Sequence, residues 1–370
     1  MKYYLIAGEK SGDLHASNLM KAIKRKDESA EFRFFGGDEM KAVGGEMFRH
    51  YSDMAIMGFL EVVLKFRTVK ENMRITKQDV LDHKPDVLIL VDYGGFNMRI
   101  AEFAKKNGIK VFYYIVPKVW AWNQKRALKL KRDVDELFCV LPFEKDFFKK
   151  FDTQVNYVGN PVLDAVEAFE PNNNFLSEVN LRDDKPLFAL LPGSRKGEIE
   201  RMLPIMLDVL DDYPQYQPVI AGVSQFDLDF YNQFLKGRKI PIVYDQTYDL
   251  LHHSEIAIVT SGTATLETAL FRVPQVVCFA TSPVTYFIAK SMIKVKYISL
   301  VNLIADKELI TELIQNEFSK EALKAEIDKL LPGNENRNRI LEEYDEMHKI
   351  LGSGGASKAT AELMVKYLNA

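Results

Sequence analysis

At 370 residues the chain is longer than a usual single domain, so two domains, each with its own core, are expected. A formal net charge of -3 gives no reason to expect a nucleic-acid partner, and 47% apolar residues beside 27% charged ones read as an ordinary soluble α/β protein. Cys139 and Cys278 lie far apart in strand-like apolar runs with no metal-ligand spacing around them, which excludes a disulfide framework and fits a reducing cytosol.

In chain order, the first apolar run, residues 1–7, reads as a strand running straight into Gly8 and is too short and wrongly flanked for a signal peptide. Further strands are predicted at 32–35, 87–91, 111–115, 136–140 and 155–158, then at 187–191, 217–221, 242–244, 256–259 and 275–279. Helical periodicity alternates with them, the pattern of parallel sheets with helices on both faces. Residues 1–166 and 187–351 are therefore expected to be two similar α/β domains. Between them, the polar stretch 167–186, with Pro171-Asn172-Asn173-Asn174, has the composition of a linker. Gly352-Ser353-Gly354-Gly355 breaks a long charged helix, and a last helix is expected within 352–370. No apolar stretch is long enough to span a bilayer.

Ligands of open α/β sheets bind beyond the carboxyl ends of strands, so the loops after strands carry the chemistry. The first is Gly8-Glu9-Lys10-Ser11-Gly12-Asp13-Leu14-His15. The helix behind it aligns Ala16, Leu19, Met20 and Ile23, leaving His15 off the apolar stripe, facing either a ligand or solvent. The Gly8 and Gly12 spacing is not a dinucleotide fingerprint, and no acid closes the next strand at Phe35-Gly36-Gly37, so no nicotinamide cofactor is expected. Asp92 ends a buried run and precedes Gly94-Gly95, which let a ligand approach; it reads as a general base or as a loop cap. Trp120-Ala121-Trp122, followed by Lys125, Arg126, Lys129, Lys131 and Arg132, reads either as a surface for an anionic headgroup or as a solvated helix face with two packing aromatics.

Two motifs in the second half are more specific. Leu191-Pro192-Gly193-Ser194-Arg195 and Ser261-Gly262-Thr263-Ala264-Thr265-Leu266-Glu267 each follow a strand and open a helix, where backbone N–H groups and hydroxyls favour an anion. A diphosphate is the natural guest, with Arg195 clamping it and Glu267 accepting from ribose hydroxyls. Residues 54–66 are apolar nearly all round except Gly58, Glu61 and Lys65, which suits core, acyl chains or bilayer. Phe287-Ile288 with Lys290, Met292-Ile293 and Lys294-Val295-Lys296 is a second candidate for touching anionic lipid.

These motifs, together with Met57-Gly58-Phe59, Leu141-Pro142-Phe143-Glu144 and Tyr297-Ile298-Ser299-Leu300-Val301-Asn302-Leu303, resemble the lipid-A-disaccharide synthase family, in the family's order and nearly end to end. The resemblance implies a GT-B fold: two Rossmann-like doubly wound α/β domains facing a central cleft, with the last helix returning to the first domain. It implies an inverting transfer from a UDP-2,3-diacylglucosamine donor to the 6-hydroxyl of a 2,3-diacylglucosamine 1-phosphate acceptor. It further implies peripheral attachment to the cytoplasmic face of the inner membrane, no cofactor and no metal, and it leaves room for a homodimer. Carried onto this chain, the donor nucleotide falls to Gly193, Ser194, Arg195, Ser261, Gly262, Thr263, Thr265, Glu267 and Asn302. The acceptor and its lipid fall to Ser11, Gly12, Met57, Phe59, Trp120, Trp122, Lys125 and Arg126. Many relatives have Asp-x-Pro-Asp-Phe-Asn where this chain has Asp92-Tyr93-Gly94-Gly95-Phe96-Asn97, so the second carboxylate is missing at Gly95. Asp92 is then the first choice of base, with Glu9, Asp13 and His15 as alternatives. A UDP-N-acetylhexosamine 2-epimerase, an undecaprenyl-linked glycosyltransferase and a non-catalytic nucleotide-sugar sensor stay open as rivals.

Overall fold

The computed structural model describes residues 1–54 and 66–370. The chain divides into two compact units, Met1–Pro161 with Ser353–Ala370, and Val162–Gly352.

The first unit is built on a parallel sheet of β1 (Lys2–Ala7), β2 (Glu31–Gly36), β3 (Glu46–His50), β4 (Val87–Val91), β5 (Lys110–Tyr114), β6 (Glu136–Cys139) and β7 (Asn156–Tyr157). Their order is β3-β2-β1-β4-β5-β6-β7, so the winding reverses between β1 and β4, which pair from Tyr3↔Val87 to Ala7↔Val91. Helices cover both faces of such a sheet, which is why its central strands are continuous apolar runs rather than alternating ones. Tyr3 to Ala7 and Val87 to Val91 are all fully buried. Helix Ala356–Leu368 belongs to this unit and buries Ala356, Thr360, Ala361 and Met364. Near its end the Tyr367 ring packs beside Phe112 and Phe138, and its hydroxyl donates to Asn156 Oδ1 at 2.9 Å.

The second unit repeats the plan with β8 (Leu187–Leu191), β9 (Gln217–Gly222), β10 (Ile242–Tyr244), β11 (Ser254–Thr260), β12 (Gln275–Phe279) and β13 (Glu312–Ile314). The order β10-β9-β8-β11-β12-β13 reverses between β8 and β11.

Two sequence expectations are corrected here. Residues 167–186 are not a free linker: Phe175 is fully buried in the second unit's core with Leu187, Ala189 and Val259, and Leu176, Val179 and Leu181 pack against that cluster. Four apolar side chains scattered among asparagines and acids are enough to seat a short helix, Phe175–Glu178, and the surrounding polarity hid them. The units accordingly divide at Pro161. Strands β3 and β13 were not anticipated; both are short edge strands with mixed burial, and they lack the apolar run that marks a central strand.

Candidate active site

In the first unit the loops at the reversal point interlock. A Cβ on Gly8 would stand 2.3 Å from the Tyr93 ring, so only glycine lets the loop after β1 meet the loop after β4. Asp92 and Tyr93 both adopt left-handed backbone, φ +46 and +49. This conformation is unfavourable for side-chain-bearing residues and persists only where its surroundings hold it. Here the Asp92 N–H donates to Tyr114 O at 3.1 Å, and the Asp92 carbonyl accepts from the Tyr113 hydroxyl at 2.6 Å and Asn97 Nδ2 at 2.9 Å. Burial raises the Asp92 carboxyl above the ordinary carboxylate range; Lys118 opposes that rise and Glu9 adds to it. A carboxylate so placed is a strong proton acceptor.

The loop expected up to His15 is already helix from Lys10. Glu9 is its exposed N-cap residue, Ser11 is exposed, and His15 is partly buried. Asp13 is corrected from candidate base to structural cap: its carboxylate accepts from the backbone N–H groups of Gly37 (2.7 Å), Glu39 (3.0 Å) and Met40 (3.2 Å) at the start of helix Asp38–Val43. Gly12 is likewise corrected. It is buried against β1, where a Cβ would meet Ala7 Cβ at 3.5 Å, and offers no acceptor surface.

Trp120 is also no lipid anchor. It is buried, its ring packs edge-on against Phe143 at 4.9 Å, and its Nε1 donates to Glu144 Oε1 at 3.0 Å. Glu144 Oε2 accepts from the N–H groups of Leu141 (3.0 Å) and Val140 (3.2 Å). Burial pushes the Glu144 carboxyl up to about 7, against the pull of those N–H donors and Lys118. Trp122, by contrast, is 37% exposed with the Arg126 guanidinium 4.2 Å above its ring, and Lys125 is exposed beside it. Met57 and Phe59 lie outside the described residues.

In the second unit β8 and β11 are paired neighbours, with Val259 opposite Leu191, so both candidate anion-binding turns leave the same edge of the sheet. The first of them passes close to the end of β11, where a Cβ on Gly193 would lie 3.4 Å from Thr260 Cγ2. Gly193 has φ +107, a conformation that favours glycine. The Ser194 and Arg195 N–H groups and the Arg195 guanidinium face one point at the start of helix Lys196–Val209, where all three donate to Glu198. Across from them Gly262 and Thr263 are exposed at the start of helix Thr263–Leu270, and Ser261 Oγ donates to Ile298 O at 2.9 Å. Glu267, one turn on, accepts from the Tyr248 hydroxyl at 3.0 Å, and burial raises its carboxyl.

Two nucleotide candidates are corrected. The Thr265 side chain is fully buried and its hydroxyl donates to Gly262 O at 2.8 Å. Asn302, also buried, donates to Ile310 O and Glu312 Oε1 and accepts from the Leu309 and Ile310 N–H groups, which saturates its amide. Sequence reasoning gave no role to Lys118, Glu144, Glu198 or Tyr248. Glu198 had a visible signal, an acid three residues after a helix cap; the others depend on partners distant in sequence. Among the described residues no group of three His, Cys, Asp or Glu side chains is placed to hold a metal ion.

A family model described as lipid-A-disaccharide synthetase matches residues 3–366. The chain belongs to the lipid-A-disaccharide synthase family. A lipid-A-disaccharide synthase from Trichlorobacter lovleyi is 36% identical over 98% of this chain and 96% of its own length. Another from Syntrophus aciditrophicus is 37% identical over 96% and 95%. The UDP-GlcNAc 2-epimerase from Neisseria meningitidis, solved bound to UDP-GlcNAc, superposes with a TM-score of 0.71 at 13% identity, covering 99% of this chain and all of that one. Likeness at that identity shows the fold, which is GT-B, and does not carry epimerase activity with it. Membership of the lipid-A-disaccharide synthase family makes the chain a glycosyltransferase of lipid A biosynthesis. No helix among the described residues is long and apolar enough to cross a membrane.

Proposed function

We propose that the chain transfers 2,3-diacylglucosamine from UDP to the 6-hydroxyl of 2,3-diacylglucosamine 1-phosphate, with inversion, releasing UDP. The observation that carries this reading is the shared sheet edge of the second unit, where two helix-opening turns and one guanidinium converge. As the bond between the anomeric carbon and the diphosphate oxygen breaks, its electron pair stays with UDP. The Arg195 guanidinium and the Ser194 and Arg195 amides stabilise the growing charge, with Ser261, Gly262 and Thr263 on the other flank. Glu267, oriented by Tyr248, accepts from the ribose hydroxyls.

On the first unit Asp92 takes the proton from the acceptor 6-hydroxyl as its oxygen attacks the anomeric carbon from the opposite face, which inverts the configuration. Glu9 and His15 remain the alternatives for that proton. Ser11, Trp122, Lys125 and Arg126 offer the polar and cationic surface for the acceptor and its phosphate.

Lipid-bearing substrates place the work at the inner-membrane surface. Helix Pro283–Met292 supports that placement: it buries no residue, and Val284, Phe287 (78%), Ile288, Met292 and Ile293 are exposed. Between Glu267 and Asp306 the only charged residues are cations, Arg272, Lys290, Lys294 and Lys296. Such a face suits an anionic lipid surface. The reaction is tested by UDP release that requires the acylated acceptor; an epimerase would convert the UDP-sugar without it, and a sensor would bind UDP-sugar and release nothing.

A further inference from the structure

The seat formed by the Ser194 and Arg195 amides already holds an anion. Glu198 Oε2 accepts from both N–H groups at 3.2 Å, and Glu198 Oε1 accepts from Arg195 Nη1 at 3.0 Å. The glycine beside them makes room for this: a Cβ on Gly193 would stand 2.8 Å from Glu198 Oε2 and 2.9 Å from Glu198 Cβ. The Glu198 side chain is 20% exposed and that of Arg195 is 72% exposed, so the carboxylate is the packed partner and the guanidinium the outer one. The same Cβ on Gly193 would also lie 3.4 Å from Thr260 Cγ2, and Thr260, 5% exposed, has an Oγ1 with no partner among the described residues. A buried hydroxyl of that kind normally has one.

Resting on the assignment of this edge to the diphosphate, we propose that Glu198 is a resident counter-anion which the diphosphate displaces from the Ser194 and Arg195 amides, and that it thereby sets how tightly UDP is held. Each backbone N–H carries one hydrogen and satisfies one acceptor well, so carboxylate and phosphate oxygen compete for the same donors. A carboxylate left against a diphosphate repels it. Binding therefore exchanges one anion for another instead of filling an empty seat, which loosens the product. A simple helix cap predicts the same contacts in the free protein. It differs in what UDP does to those contacts: a brace keeps the Ser194 and Arg195 N–H groups when UDP is bound, whereas a competitor gives them up to a phosphate oxygen and binds UDP more tightly once its charge is removed.

The test is calorimetric titration of the full chain with UDP, comparing the unaltered protein with Glu198→Gln. The Kd for UDP is expected to fall about tenfold in the variant, with inhibition by UDP strengthened to match. An equal or higher Kd overturns the proposal. Should Glu198→Gln fail to fold, a structure of the unaltered protein with UDP decides. A phosphate oxygen on the two amides with Glu198 swung away supports displacement, and Glu198 still bonded to both beside bound UDP overturns it. If the unaltered protein has no measurable affinity for UDP, the assignment of the edge itself fails, which is a different outcome from an unaltered protein that binds UDP and a variant that binds it no better.

Discussion

In the proposed reaction Arg195 bears most of the donor chemistry, because its guanidinium stands beside the Ser194 and Arg195 N–H groups and is exposed enough to follow the charge as it develops. Losing one preorganised donor of this kind costs about 3 to 4 kcal/mol of transition-state stabilisation, so Arg195→Ala is expected to slow UDP release by about two orders of magnitude or more. Turnover near that of the unaltered protein in a steady-state assay would remove Arg195 from the reaction. Asp92 makes a prediction with a definite sign. A base works when unprotonated, and burial raises this carboxyl, so kcat is expected to fall as pH drops through a midpoint above the ordinary carboxylate range. In Asp92→Asn the rate is expected to collapse and that acid-side limb to vanish. An unchanged limb in the variant's pH profile transfers the role to Glu9 or His15. At this scale the sequence showed residue type and local spacing, and it failed where a side chain is used up by distant partners. Asp13 is spent on amides 24 to 27 residues away, and Asn302 on groups 7 to 10 residues away, so neither is free for a ligand.

The elements that are central strands were readable because burial on both faces demands unbroken apolar runs, as at Val87–Val91 and Leu187–Leu191. The Trp120 loop kept two readings for the opposite reason: an indole beside a run of cations suits a membrane interface as well as packing, and only the fold reveals Glu144 beneath it. That pair gives a direct test, since Trp120 and Trp122 are the chain's two tryptophans. Glu144 gains its charge as pH rises through about 7, so the emission of the Trp120 indole bonded to it is expected to titrate with that midpoint, and the titration to be absent in Glu144→Gln. The folded carboxyl holds its proton above the ordinary value of 4.5, so its contribution to stability falls as pH rises from about 4.5 to about 7. Flat emission across that window contradicts the buried pair. Helix Pro283–Met292 predicts co-sedimentation with anionic vesicles that weakens as salt is raised, and a clear loss in Phe287→Asp. Equal pelleting of the variant and the unaltered protein would show that this face is not the lipid contact.

Over the whole molecule, the same device occurs twice: each unit is wound outward from its middle, and its candidate residues stand where the strand order reverses, after β1 and β4 in one and after β8 and β11 in the other. That reversal is where open α/β sheets bind ligands. The alternation of strands and helices was enough to anticipate two such sheets, whereas the unit boundary at Pro161 and the packing of Phe175 were concealed by polar composition. In the proposed reaction labour is divided, with nucleotide diphosphate on the second unit and proton acceptance on the first. That division is tested most directly by measuring UDP release from UDP-2,3-diacylglucosamine with and without 2,3-diacylglucosamine 1-phosphate, in the unaltered protein, Arg195→Ala and Asp92→Asn. Release is expected only with acceptor, with UDP affinity lost in Arg195→Ala and kept in Asp92→Asn, and turnover lost in both. Release that proceeds equally without acceptor, or Asp92→Asn turning over at the unaltered rate, would contradict it.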